Sequence, residues 1–210
     1  MPIFKAEQKL IFYAHIPKCG GTTVEDYLTK RFGRPAFFDP NHLIRPNPWT
    51  KTSPQHIDKK SLSCLFPPNF FDLSFAVVRH PISRMISSYI FQRDRVKSIT
   101  SNKSFTVWLK EMEANIRNDT AILDNHLRKQ TDFIPEGSVI FKLENGLEKI
   151  IPFLDKNLGN SDPKITLEHK QKSFAQDKII PSKEDIILIE ELYVNDYKIL
   201  GYSFTEHLEK

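Results

Sequence analysis

The stretch His15-Ile16-Pro17-Lys18-Cys19-Gly20-Gly21-Thr22-Thr23-Val24 decides how this chain begins to fold. An apolar run over residues 10–16 ends at the proline, and a helical pattern follows the two threonines. This order predicts a strand, a tight loop and a helix N-terminus. In that geometry backbone N–H groups and the helix dipole bind an anion. Because Lys18 adds a positive charge inside the loop, we predict a phosphate-binding loop.

The composition is that of an ordinary globular domain. The chain has 210 residues, of which 40% are hydrophobic and 27% are charged, and its formal net charge is +4. A chain of this length can bury one sizeable core, so we expect residues 1–210 to form a single domain. The small positive charge favours an anionic ligand but falls well short of what nucleic-acid binding requires, so we expect no nucleic-acid partner.

Cysteine usage and hydropathy bear on the compartment. The two cysteines, Cys19 and Cys64, do not form a disulfide framework, and we interpret both as reduced thiols. The first residues lack the apolar core of a signal peptide, and no apolar run reaches membrane-spanning length. We therefore expect a cytoplasmic protein without a membrane span. The sequence leaves the oligomeric state open.

Predicted strands alternate with predicted helices along the chain. Apolar runs predict strands over residues 10–16, 73–78 and 139–143. Helical patterns cover residues 22–32, 59–65, a stretch from Pro81, 104–113, 144–157 and a last helix that begins after Ser182 and includes Tyr197. Thr22 or Thr23 is expected to cap the first helix. A proline-rich irregular region fills residues 35–72, and residues 160–181 are expected to form a mobile, lysine-rich loop with a solvated surface.

The alternation predicts an α/β fold, a three-layer P-loop-like domain with a central, mainly parallel sheet flanked by helices. Ligands bind such sheets at the carboxyl ends of the strands. The Lys18 loop follows the first predicted strand, and Arg79 follows the second. Both are therefore expected at one edge of the sheet, where they can share a ligand.

Several familiar phosphate-binding motifs are excluded by the residues present. A Walker A loop needs its lysine after the glycines, whereas Lys18 precedes Gly20 and Gly21. Cys19 is not the nucleophile of a cysteine phosphatase, because Glu25 occupies the position where a phosphate-binding arginine would be needed. The Rossmann fingerprint is absent as well.

A second stretch narrows the interpretation of the loop. It is Val77-Val78-Arg79-His80-Pro81-Ile82-Ser83-Arg84-Met85-Ile86-Ser87-Ser88-Tyr89. Together the two stretches resemble the signatures of sulfotransferases that use 3′-phosphoadenosine 5′-phosphosulfate (PAPS). The likeness is closest to the Golgi-type carbohydrate O-sulfotransferases, including the heparan 2-O-sulfotransferase-like group, and to their bacterial relatives. It implies that Arg79 and Ser87 bind the 3′-phosphate. It also implies that the 5′-phosphosulfate is wrapped by Pro17, Lys18, Cys19, Gly20, Gly21, Thr22 and Thr23.

Three further segments resemble the same family. These are residues 125–133 with a His-x-x-x-Gln pattern, residues 141–144, and the Tyr-x-x-Asp-Tyr pattern in residues 193–202. The resemblance implies that His126 and Arg128 contact the acceptor. Two positions depart from the family pattern: His80 stands where Asp or Asn is common, and Cys19 where threonine is frequent. Neither change removes a ligand group.

The resemblance implies sulfuryl transfer from PAPS to a hydroxyl of a carbohydrate or glycan by in-line displacement, with PAP (3′-phosphoadenosine 5′-phosphate) as product. Positioning and charge stabilisation dominate such reactions. Lys18 is expected to neutralise the leaving oxygen, and no metal is expected. His56 is our choice of general base, since a catalytic histidine of the family precedes the Arg-x-Pro strand. Glu144 and His15 are weaker alternatives.

Two other functions stay open from the sequence alone. One is a divergent P-loop, nucleotide-dependent kinase, and the other is a non-catalytic nucleotide-binding protein with the same fold. Arg84 is equally consistent with a surface residue, a packing residue or a ligand. Cys19 is expected to be a spectator thiol that shapes the loop.

Overall fold

The computed structural model describes residues 2–48, 50–119, 121–168 and 179–204. Within them the strands are β1 Ile3–Ala6, β2 Lys9–Ala14, β3 Leu73–Val78 and β4 Val139–Lys142. They form one sheet in the order β1-β2-β3-β4. β1 is antiparallel to β2, whereas β2–β3 and β3–β4 pair in parallel. A mixed α/β fold with a mainly parallel sheet is therefore confirmed.

Helices flank this sheet. They are α1 Gly21–Phe32, α2 Lys59–Leu65, α3 Pro81–Ile90, α4 Phe105–Asn118, α5 Ile150–Leu158, α6 Lys183–Leu192 and α7 Val194–Leu200. Side chains of α1, α5 and α7 belong to the same buried cluster as the strands. A second buried cluster joins α3, α4 and α6. Among the described residues, no helix is both long enough and apolar enough to cross a membrane.

The central strands explain why the sheet is stable. The four successive residues 11–14 of β2 and 75–78 of β3 are all fully buried. Successive side chains of a strand point to opposite faces, so both faces at the centre of the sheet are covered. Both strands therefore read as continuous apolar runs, the pattern from which they were predicted. The three-layer arrangement itself stays a prediction.

Strand β1 was not predicted. It is only four residues long and joins β2 through a two-residue turn in which Glu7 has a φ of 54°. Glycine or asparagine normally occupies such turns, and here neither is present to mark the hairpin. Pairing with the buried β2 supplies the stability that local sequence does not.

Some predicted helix boundaries were wrong. α1 begins at Gly21 with Gly20 as its N-cap, so Thr22 and Thr23 lie inside the first turn and do not cap the helix. The helix predicted over 144–157 begins only at Ile150, because Gly146, with a φ of 87°, separates two short 3-10 turns. The last predicted helix breaks at Tyr193 into α6 and α7. Residues 169–178 of the predicted lysine-rich loop lie outside the described residues.

Candidate active site

The loop after β2 has the backbone of an anion-binding site. Lys18 and Gly20 both adopt left-handed conformations, with φ of 68° and 81°. The amides of Gly20, Gly21 and Thr22 make no hydrogen bond within the ranges that the structure describes. These donors open α1, where the positive end of the helix dipole lies. The predicted order of strand, tight loop and helix N-terminus is therefore confirmed, and phosphate binding at the loop stays a prediction.

The Lys18 side chain lies over an aromatic ring. Its Nζ is 4.0 Å from the ring centroid of Phe91, which begins the π-helical turn Phe91–Val96 directly after α3. Burial and the charge of Arg79 lower the pKa of Lys18 to about 8. Lys18 is therefore a cation at neutral pH that loses its proton in mildly alkaline solution.

His15 packs against the start of α1. A Cβ added at Gly21 would lie 1.9 Å from Nε2 of His15, so only glycine fits there. His15 Nδ1 lies 2.5 Å from Oε1 of Glu25, one helical turn beyond Gly21. Burial opposes ionisation of Glu25, but the charge and hydrogen bond of His15 lower the pKa of that carboxyl. Glu25, whose position argued against a cysteine phosphatase, thus orients the imidazole of His15 beside the loop.

Gln130 connects the loop to the second motif. Its Nε2 donates to the carbonyl of Arg79 at 2.8 Å, and its Oε1 accepts from the Arg79 amide at 2.9 Å. The thiol of Cys19 also donates to Oε1, at 3.3 Å. The Arg79 guanidinium in turn donates to the carbonyl of Lys18 at 3.3 Å. One fully buried amide therefore fixes the distance between the two predicted phosphate-binding elements.

The C-terminal helix holds Gln130 in place. Asp196 on α7 accepts the amides of Gln130 and Thr131 at 2.8 and 3.0 Å, and also the Thr131 hydroxyl at 3.0 Å. The hydroxyl of Tyr193 donates to the carbonyl of Leu127 at 2.6 Å. Tyr193 and Asp196 of the Tyr-x-x-Asp-Tyr pattern therefore hold the segment that carries Gln130.

The structure decides the role that the sequence left open for Arg84. The side chain is buried and donates to the carbonyls of Pro17, His126 and Arg128 at 3.0, 3.0 and 2.9 Å. It satisfies three backbone acceptors and is a packing residue. Ser87 lies one turn beyond Arg84 on α3 and is partly exposed. α3 thus carries both the residue that joins the loops and the serine predicted to bind a phosphate.

Cys19 has the buried environment expected of a spectator thiol. It is fully buried, and burial raises the pKa of its thiol to about 12. Both Cys19 and Cys64 are free of disulfides. A thiol with this pKa is protonated at neutral pH, and a protonated thiol is a poor nucleophile.

His56 has the partner that a general base needs. Its Nδ1 lies 2.7 Å from Oδ2 of Asp124, whose carboxylate also accepts the amide and hydroxyl of Ser53 at 2.6 and 2.7 Å. Burial opposes ionisation of Asp124, but these hydrogen bonds and the charge of His56 lower the pKa of the carboxyl. We call His56 and Asp124 the His–Asp pair of the site. Asp124 was not predicted, because no local pattern links residues 68 positions apart.

A strained turn places this carboxylate. Leu123, Asp124 and Asn125 have φ of 51°, 58° and 62°, three consecutive non-glycine residues in the left-handed region. Such conformations cost about 1–2 kcal/mol per residue and persist where the surrounding structure enforces them. Here Asn125 Nδ2 donates to the carbonyl of His56 at 2.7 Å, and this hydrogen bond links the turn to the backbone of His56.

Three histidine rings form a row across the site. The ring centroids of His56 and His15 are 4.9 Å apart, and those of His56 and His126 are 5.3 Å apart. The His126 ring also contacts Phe91, at 5.0 Å, on which Lys18 lies. The row therefore links the predicted base to the predicted catalytic lysine through two intervening rings, His126 and Phe91.

Burial lowers the pKa of two imidazoles of the row, those of His56 and His126. It lowers the pKa of His56 despite the hydrogen bond with Asp124, and the charge of His15 adds to the decrease. Burial and the neighbouring His56 and Lys18 place the pKa of His126 well below its usual value. Nδ1 of His126 has no hydrogen-bond partner among the described residues. A neutral His56 with Nδ1 bound to a carboxylate has Nε2 available to accept a proton.

The remaining predicted residues are placed as follows. Arg128 Nη1 forms an ion pair with Asp58 Oδ2 at 2.6 Å. Glu144, the alternative base, accepts the His80 amide at 2.7 Å and the Tyr202 hydroxyl at 3.2 Å. His56, Asp124 and His126 are also a group that could hold a metal ion, since one ligand atom of each lies within 4.8 Å of the others. The absence of a metal from the reaction stays a prediction.

Comparison with known proteins identifies a family for this chain. A family model described as "Sulfotransferase family" matches residues 1–203. No curated protein and no solved structure matches the chain significantly. The matched range includes the loop, Arg79, the His–Asp pair and Asp196, so it covers every element that builds the site.

Proposed function

Since the chain belongs to the sulfotransferase family, we propose that it transfers the sulfuryl group of PAPS to a hydroxyl of a carbohydrate acceptor and releases PAP. Its class is that of a sulfotransferase, and the family generally uses PAPS as donor. One observation supports the finer proposal most: the row of histidine rings that joins His56 to Phe91 and Lys18. In the proposal this row links the proton acceptor, His56, to the cation, Lys18.

The donor fits the two anchoring elements. In the proposal the amides of residues 20–22 hold the 5′-phosphate, with hydroxyls of Thr22 and Thr23 at the same turn. Arg79 and Ser87 bind the 3′-phosphate, for which a guanidinium offers several donors in a fixed plane. Gln130 fixes the spacing between the two elements through the Arg79 backbone and Cys19.

The transfer is a displacement at sulfur. His56 Nε2 takes the proton of the acceptor hydroxyl as its oxygen forms a bond to sulfur. The bond from sulfur to the 5′-phosphate oxygen breaks in line with it, and the electron pair stays on PAP. Lys18 stabilises the negative charge that develops on that oxygen. Asp124 stabilises the imidazolium that forms on His56.

Isothermal titration with PAP tests the proposal, with ADP as the matched ligand that lacks a 3′-phosphate. We expect PAP to bind more tightly than ADP and binding to need no magnesium. Lys18→Ala and Arg79→Ala should weaken PAP binding, whereas Arg34→Ala, at an exposed arginine, should not. Absence of PAP binding at high micromolar concentration would overturn the proposal. Magnesium-dependent binding indifferent to the 3′-phosphate would favour a kinase.

A transfer assay with radiolabelled PAPS across glycan acceptors then tests the carbohydrate part. We expect label to move to at least one glycan. PAP binding without transfer to any acceptor would favour a non-catalytic nucleotide-binding protein. A single domain and a cytoplasmic location are part of the same proposal.

A further inference from the structure

His15 lies between the first turn of α1 and the predicted base. A Cβ added at Gly21 would lie 1.9 Å from Nε2 of His15, so this nitrogen takes the place of the missing side chain. The His15 ring meets the His56 ring edge to face, with the centroids 4.9 Å apart. One imidazole therefore contacts both the helix turn that follows the Lys18 loop and the histidine proposed to accept the proton.

Nε2 of His15 lies on the side of α1 where an anion binds. The Cα–Cβ bonds of a helix tilt toward its N-terminus, so an atom this close to the Cβ position of Gly21 lies on the N-terminal side of that residue. The amides of Gly20, Gly21 and Thr22, which make no hydrogen bond in the described part of the chain, open the same turn. An imidazole nitrogen and three backbone donors are therefore grouped at one helix end.

This nitrogen is accessible to a ligand. It has no hydrogen-bond partner among the residues that the structure describes. It is also not one of their fully buried unpartnered atoms, in contrast to Nδ1 of His126, and 12% of the His15 side chain is exposed. A ligand in the site can therefore reach Nε2 without breaking a hydrogen bond between described residues.

Glu25 determines which hydrogens the His15 ring carries. Its Oε1 lies 2.5 Å from Nδ1 of His15. Burial opposes ionisation of Glu25, but the charge and hydrogen bond of His15 outweigh it and lower the pKa of the carboxyl. An ionised carboxylate accepts the Nδ1 hydrogen and stabilises the imidazolium, in which Nε2 also carries a hydrogen. Such an N–H forms a charge-assisted hydrogen bond with an anionic oxygen.

We propose that Nε2 of His15 donates a hydrogen bond to an oxygen of the sulfuryl group during its transfer. In the proposed reaction the 5′-phosphate lies at the amides that open α1 and the acceptor hydroxyl lies at His56, so the sulfuryl group lies between them. His15 contacts both ends of this path. The inference rests on the proposed function. It makes His15 a catalytic donor, not an alternative base, and Glu25 its positioning residue.

A comparison of PAPS with PAP tests the inference, because PAP lacks the sulfuryl group. Titration without acceptor measures both dissociation constants, and transfer of the radiolabelled sulfuryl group measures kcat. His15→Ala removes the donor, whereas the amide of His15→Gln keeps a donor and cannot act as a base. Tyr13→Phe is the matched control, because the Tyr13 ring stacks on His15 at 5.7 Å and its hydroxyl has no partner among the described residues.

In His15→Ala we expect the dissociation constant of PAPS to rise about tenfold relative to that of PAP, since hydrogen bonds between charged groups are strong. In the same variant kcat should fall about 10²-fold, the usual cost of removing one donor to a reacting anionic group. His15→Gln should recover part of both losses. Tyr13→Phe should change neither quantity.

An unchanged ratio of the two dissociation constants in His15→Ala would overturn the inference. Combined with a large loss of kcat, that result would make His15 a base. Combined with equal losses of PAP and PAPS affinity, it would make the ring a structural support of α1. Failure of His15→Gln to recover either loss would overturn the inference as well. Failure of the proposed function has a different signature, because the wild-type protein itself would then not bind PAP.

Discussion

Oδ2 of Asp124 lies 2.7 Å from Nδ1 of His56. The carboxylate accepts the Nδ1 hydrogen, which assigns the tautomer in which Nε2 carries the free lone pair. Neither residue has this chemistry alone: burial lowers the pKa of the imidazole, and the carboxylate stabilises the cation after proton transfer. The relationship turns a buried histidine into a candidate general base.

Replacement of Asp124 by asparagine should therefore abolish most of the turnover. The amide cannot stabilise the imidazolium, and general-base catalysis contributes about 10²–10⁴-fold to such steps. We expect kcat to fall about 10²-fold or more in a PAPS transfer assay, with PAP affinity unchanged in titration. Asp162→Asn, at an exposed carboxylate, is the matched control. Near-normal kcat would contradict the assignment.

Combining Asp124→Asn with His56→Ala tests whether the two residues act as a unit. We expect the double variant to lose about as much activity as His56→Ala alone, because residues that act together are not additive. The measurement is kcat for the four proteins of the cycle. Multiplicative losses would show that Asp124 acts separately from His56.

The pH dependence of kcat/KM should be bell-shaped. His56 must be neutral to accept a proton, and since its pKa is lowered the acidic limb should lie below the ordinary pKa of histidine. Lys18 must be charged, and because its pKa is about 8 the rate should fall as pH rises above that value. Lys18→Arg should remove the alkaline limb, because guanidinium stays charged. An unchanged alkaline limb in that variant would contradict the role of Lys18.

Gln130→Met should weaken both stability and donor binding. The variant leaves the part-buried amide and carbonyl of Arg79 without the Gln130 side chain, and the loss of such partners costs about 1–3 kcal/mol. For a chain of this size each kcal/mol lowers Tm by about 2–4 °C. Thermal unfolding and PAP titration measure the two effects. Gln8→Met, at an exposed glutamine, should leave both unchanged. Unchanged PAP affinity in Gln130→Met would contradict the bridging role.

Gly21→Ala should displace His15, because the added Cβ would lie 1.9 Å from its Nε2. Overpacking of this kind costs about 1–3 kcal/mol in unfolding free energy. His15→Ala removes the ring, so Gly21→Ala should cost much less in that background. Denaturant unfolding of the four proteins measures the coupling. Equal costs in both backgrounds would show that the ring does not enforce glycine at this position.

Local patterns were enough to predict the loop and the strands that carry it. β2 and β3 are buried on both faces and therefore appear as continuous apolar runs, and α2 and β3 have the predicted bounds. The order of strand, proline, lysine and glycines specifies an anion-binding turn through backbone geometry alone. Motif spacing likewise related Arg79 to the loop. These features depend on residues that are neighbours in the sequence.

Only the tertiary structure decided how the site is completed. The contacts of Asp124 with His56, of Gln130 with Arg79, and of Arg84 with three carbonyls join segments far apart in the chain. Burial, which lowers the pKa of Lys18 and His56, is likewise a property of packing and not of composition. The sequence by itself therefore predicted where an anion binds. The fold decided which groups surround the candidate base, because desolvation and hydrogen bonding act between residues that only folding brings together.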